Sequence, residues 1–198
     1  MYKGQPLTDL TQRFQCSAGF SIVEVLVSVM VLTIGMLGMV GMQASSLQAN
    51  RDARLQSIAA FQARELADLM RGNPTESSKT LSNPYFVSTS SKPLKHTNPD
   101  YCLNVAATIA CTNPNNVANA QMTEWLARVD DELPGARVVV CMDSVPFDAS
   151  GLATWSCTAG AGASMVIKIG WSRASTNKSL TGSQALDRAT VPSIVFPV

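Results

Sequence analysis

From Phe20 to Met42 nearly every position is apolar, in a run of 23 residues that carries one charge. As a helix at 1.5 Å per residue it would be about 35 Å long, enough to cross a hydrocarbon layer roughly 30 Å thick. Beyond it the pattern changes. Leu55, Ile58, Ala59, Leu66, Leu69 and Met70 recur at three- and four-residue spacings, which predicts a continuing helix with one apolar stripe that needs a cover. Arg54, Arg64 and Asp68 fall off that stripe. Gly72-Asn73-Pro74 then supplies a stop, because glycine accepts a left-handed cap and proline cannot continue the bonding. The expectation is a single helix of about 50 residues, with Gly35, Gly38 and Gly41 as the place for a bend or for close packing, since each lowers helix propensity by about 1 kcal/mol.

Residues 74–118 are rich in Pro, Ser, Thr and Asn and lack periodicity, so they read as a long irregular connection with room for short strands. Met122, Trp125, Leu126, Val129 and Leu133 regain helical spacing, with Asn119 as a cap and Pro134-Gly135 as terminator. Val138-Val139-Val140-Cys141 is β-rich. Met165, Ile167, Ile169 and Trp171 alternate with Val166, Lys168, Gly170 and Ser172, the pattern of a half-buried strand. Ser193 to Phe196 predicts a last strand, confined to an edge by Pro192 and Pro197. The predicted fold class is α+β: a long helix, half in a membrane and half packed on an antiparallel sheet.

Composition narrows the function. Charged residues are only 15% of the 198 and the formal net charge is +1, which argues against a polyanion-binding surface and so against nucleic acid as a partner. Removing residues 1–19 takes away Lys3, Arg13 and Asp9 and leaves a formally neutral chain. The one histidine, His96, sits in a polar stretch flanked by Pro93 and Lys95, where it reads as exposed; a two-histidine metal site is impossible and a His-Asp-Ser arrangement has a single isolated candidate. Asp130-Asp131-Glu132 reads as a solvated face. No glycine-rich phosphate loop is present. The expectation is a protein with no catalytic residue, metal or cofactor.

Cys16 stands alone near the start, while Cys102, Cys111, Cys141 and Cys157 form an even downstream set without the paired spacing of a zinc site. Disulfides in an oxidising compartment follow. Sequence order leaves three pairings open. The local one, Cys102 with Cys111 and Cys141 with Cys157, closes two short loops, each worth about 2–3 kcal/mol on the entropic model.

The start of the chain has an unusual order. A polar leader of 19 residues, ending Ser17-Ala18-Gly19, precedes an apolar run too long for a secretory signal core, and no strong small-residue cleavage site follows it. Glu24 lies one turn inside that run. A carboxylate there costs roughly 2.5–3.5 kcal/mol at a helix centre and less near the interface, which a bare anchor would have no reason to bear. A cationic partner inside the membrane would offset it; the plainer alternative is a side chain that snorkels to the headgroups.

Gly19-Phe20-Ser21-Ile22-Val23-Glu24 followed by an unbroken apolar helix resembles the class III signal of type IV prepilins and pseudopilins. The stretch from Ile34 to Gln43, with Glu124-Trp125, Leu133-Pro134-Gly135 and the run from Val166 to Trp171 in order, is similar to the PilV minor pilins, the type IV pilus modification proteins. The resemblance implies cleavage by a prepilin peptidase between Gly19 and Phe20, N-methylation of Phe20, and pairing of Glu24 with a neighbouring subunit's amino terminus. It divides the chain into a leader (1–19), a transmembrane and assembly half-helix (20–43), a periplasmic amphipathic half-helix (44–72) and a globular head with an antiparallel sheet (73–198). It also implies the partners: other minor pilins, the major pilin, an inner-membrane assembly platform and a tip adhesin. The subunit would wait in the inner membrane with its head in the periplasm, then pass to a surface pilus whose assembly it helps to prime. A minor pseudopilin of a type II secretion system carries the same signal, and a signal-anchored periplasmic enzyme is the reading from another class.

Overall fold

The structure is a computed structural model and describes residues 19–174, 186–187 and 189–198. The leader expected at 1–19, with Cys16, therefore lies outside the described residues except for Gly19. The chain divides into two units, Met1–Leu47 and Gln48–Val198. The helix α1, Ile22–Gly72, contributes to both.

In the first unit α1 is apolar and exposed at every described position. Ser28 and Thr33 return their hydroxyls to the helix itself, donating to the Glu24 carbonyl at 2.7 Å and the Met30 carbonyl at 2.8 Å. Neither polar side chain then needs water. Gly35, Gly38 and Gly41 sit within continuous helix, and a Cβ at any of them would meet nothing within 4 Å.

In the second unit the amphipathic stripe of α1 becomes one wall of the core. Leu55, Ala59, Ala63, Leu66, Ala67 and Met70 are buried, while Arg54, Arg64 and Asp68 face out. The helix ends at Gly72, and Pro74 opens the one-turn helix α2, Pro74–Ser77. The strand β1, Val87–Thr89, follows. The helix α3, Pro114–Glu132, starts earlier than its apolar spacing implies: Asn113, not Asn119, is the cap, its side chain accepting the Asn116 amide at 2.9 Å with Pro114 in the first turn. Asparagine followed by proline is a helix start written in the residues that also make turns. The stretch 74–118 is thus less irregular than its composition implies.

Four strands make one antiparallel sheet in the order β1-β2-β3-β6, with β2 at Arg137–Asp143, β3 at Ser164–Gly170 and β6 at Ile194–Pro197 on an edge. A separate two-residue pair joins β4, Arg173–Ala174, to β5, Leu186–Asp187. Val138, Val140, Ile167 and Ile169 pack with the α1 stripe and with Met122, Trp125, Leu126 and Val129 of α3 in one cluster. The Trp125 indole N–H donates to the Gln62 carbonyl of α1 at 2.9 Å, and Arg128 pairs with Glu65 at 2.5 Å. Gly135 turns from α3 into β2 at φ 58°, where a Cβ would also strike the Ser172 side chain. The architecture is α+β and pilin-like.

The alternation in β3 misleads in one respect. Val166 and Lys168 are buried as well as Ile167 and Ile169, so both faces of this central strand are covered. Trp155 closes over Gly170, where a Cβ would lie 2.8 Å from the ring, and the Arg137 guanidinium stacks on the indole at 4.3 Å.

Candidate functional site

The segment singled out by sequence begins outside any helix or strand. Gly19, Phe20 and Ser21 precede the first helical residue, Ile22, and Phe20 is 82% exposed. Ser21 caps α1: its carbonyl accepts the Glu24 amide at 3.0 Å and the Val25 amide at 3.2 Å, and its hydroxyl accepts the Val23 amide at 3.3 Å. Glu24 lies in the first turn, where the helix dipole favours an anion. No other Asp, Glu, Lys or Arg occurs from Phe20 to Asn50. One carboxylate therefore stands alone on an apolar helix whose most apolar stretch is wholly exposed. The helix is long and apolar enough to cross a membrane.

A family model for the prokaryotic N-terminal methylation motif matches residues 15–40. The motif is the class III prepilin signal; it indicates a type IV pilin-like or pseudopilin-like protein and implies processing by a prepilin peptidase and assembly with pilus machinery. No curated protein and no solved structure matches the chain. The matched residues hold Gly19, Phe20 and Glu24 together.

The four downstream cysteines belong to the second unit. Cys102 is bridged to Cys111 with Cα atoms 5.0 Å apart, and Cys141 to Cys157 with Cα atoms 6.4 Å apart. Beside the first bridge Asp100 accepts the Asn116 side-chain amide at 2.7 Å and the Cys102 backbone amide at 3.0 Å, and these bonds hold its carboxyl below the usual range. Among the described residues no group of three or more His, Cys, Asp or Glu is placed to hold a metal.

His96 is not the exposed residue its neighbours suggest. It is 7% exposed, with Nδ1 2.9 Å from the Asn98 carbonyl and Nε2 2.9 Å from the Pro84 carbonyl. Each ring nitrogen faces a backbone carbonyl, so the buried side chain ties a turn to a loop. The acidic run at 130–132 is only partly solvated: Glu132 accepts from the Gln62 side chain at 2.7 Å across to α1.

Sequence reasoning missed one group. Lys168 and Asp143 are both fully buried and paired at 2.5 Å. The ammonium also donates to the Thr154 carbonyl at 2.8 Å and the Ser156 carbonyl at 2.6 Å, so all three of its protons are placed. Burial pushes the Asp143 carboxyl up, but the bonds from Lys168 and from the Thr158 and Val145 amides, with the ammonium's charge, outweigh it and hold the carboxyl low. The Cys141–Cys157 bridge fastens the same segment. The pair is an anchor for 144–158.

Proposed function

We propose that this chain is a minor pilin that helps prime assembly of a type IV pilus, in a complex at the filament tip. What carries the reading is Glu24, a single carboxylate in the first turn of an exposed apolar helix that follows Gly19-Phe20. A peptidase cut after Gly19 would create a cationic amino terminus on Phe20 in every processed subunit, and N-methylation would leave that charge in place. Within the membrane the cost of Glu24 is then repaid by a neighbour's Phe20-type terminus, so the charge that penalises the isolated helix favours its association. The exposed helix supplies the packing surface. Two disulfides suit a head that matures in the periplasm. The partners in this reading are the peptidase, the other minor pilins, the major pilin, the inner-membrane platform and a tip adhesin.

Amino-terminal sequencing of the mature protein tests the processing step, with Phe20 as the expected first residue and Gly19→Val holding the full-length precursor in the membrane. Deletion of the gene tests the role. Loss of surface pili with normal protein export supports the pilus reading; intact pili with blocked export would overturn it in favour of a type II secretion pseudopilin.

A further inference from the structure

In an α-helix running through the start of this segment, the Val23 amide would bond the carbonyl four residues earlier, which is that of Gly19. It does not. The Val23 amide is taken by the Ser21 hydroxyl at 3.3 Å, and the next two amides, of Glu24 and Val25, both go to the Ser21 carbonyl. Among the described residues neither the Gly19 nor the Phe20 carbonyl accepts a hydrogen bond. A Cβ at Gly19 would meet nothing within 4 Å, and Phe20 is almost wholly exposed.

We infer that Ser21 is a positioning residue for processing: its hydroxyl intercepts the Val23 amide, stops α1 at Ile22 and leaves the Gly19–Phe20 bond outside the helix, its carbonyl accepting no hydrogen bond from any described residue. This rests on the reading that a peptidase cleaves between Gly19 and Phe20. Hydrolysis of that bond adds water across it, giving the Gly19 carboxylate and the Phe20 ammonium. A carbonyl tied into a helix must first be released by local unwinding, so the cleavable population is set by where the helix begins. Without a cap at Ser21 the preference for starting there falls, and the flanking apolar run draws the helix back toward the scissile bond. Ser21 touches no reacting atom in this account.

The test is pulse-labelled processing of the full-length precursor in membranes that contain the peptidase. Ser21→Thr and Ser21→Asn keep a capping oxygen, whereas Ser21→Ala and Ser21→Leu remove it and differ greatly in size. The expected result is cleavage of the Thr and Asn variants within about twofold of the wild-type rate, and about fivefold slower cleavage of the Ala and Leu variants at equal membrane levels of precursor. Ranking by capping ability and not by size or apolarity is the signature. A wild-type mature protein that begins with Phe20, together with an Ala variant processed as fast as the Asn variant, would overturn the inference alone. A wild-type protein that does not begin with Phe20 would overturn the cleavage reading and this inference with it.

Discussion

Replacing Lys168 with methionine removes an ammonium that is fully buried while leaving its stem volume nearly unchanged. The ammonium makes three short hydrogen bonds, to Asp143, the Thr154 carbonyl and the Ser156 carbonyl. Breaking one side of a buried pair costs about 3–5 kcal/mol, because the remaining charge stays desolvated. Two features favour the lower end: Asp143 keeps the Thr158 and Val145 amides, and Ser156 is exposed, so its freed carbonyl can find water. An expected loss of about 3 kcal/mol would lower the unfolding midpoint by roughly 6–12 °C for a unit of this size. Tryptophan fluorescence of full-length protein in detergent reports it, since Trp125, Trp155 and Trp171 all lie in the second unit. Lys168→Met combined with Asp143→Asn, which retains an acceptor for the two amides, should recover more than half of the loss. A single-variant loss under about 1 kcal/mol, or costs that simply add in the double variant, would refute the clamp.

Acid provides an independent check on the same pair: the Asp143 carboxyl is held low in the folded state, so its stabilisation is complete above the unfolded value near 3.9 and is lost as pH falls through the folded value. Wild-type unfolding midpoints should therefore decline below about pH 4, with a shallower decline in the double variant. Glu24→Ala should leave processing and membrane-held mature protein near normal but reduce subunit in sheared pilus fractions; normal piliation in both Glu24→Ala and Glu24→Gln would return Glu24 to a side chain that merely reaches for the headgroups. Non-reducing mass mapping of the mature protein should recover Cys102–Cys111 and Cys141–Cys157, whereas free thiols at these positions would exclude an oxidised head.

Features written locally in the sequence were the readable ones. The end of α1 at Gly72 follows from the Asn73-Pro74 that comes after it, although Gly72 itself stays helical and takes no left-handed cap, and the edge position of β6 follows from Pro192 before it and Pro197 at its last position. The start of α3 is less legible, because Asn113-Pro114 uses residues that equally make turns, and its first turns carry asparagine in place of apolar residues. Lys168 illustrates a deeper limit. A lysine alternating with isoleucines reads as the wet face of a strand, and only a carboxylate 25 residues earlier and carbonyls 12 and 14 residues earlier make its burial affordable. His96 failed for the same reason, since its partners are backbone oxygens with no sequence signature. At the processing segment the residue types were legible, but which acceptor takes the Val23 amide was not.

Because α1 lends its second half to the core, the head has no natural seam at the helix end. A protease that cuts between Gln48 and Leu55 would release a fragment retaining every buried side chain of the stripe, from Leu55 to Met70. A cut just past Met70 would strip away Leu55, Leu66 and Met70 among others, and truncations of such side chains cost about 2–5 kcal/mol each against a total stability of about 5–15 kcal/mol. Shedding of an intact soluble head is therefore restricted to a window of a few residues. Cleavage farther along α1 strips side chains from the core, so the position of the nick along this helix decides between release and degradation.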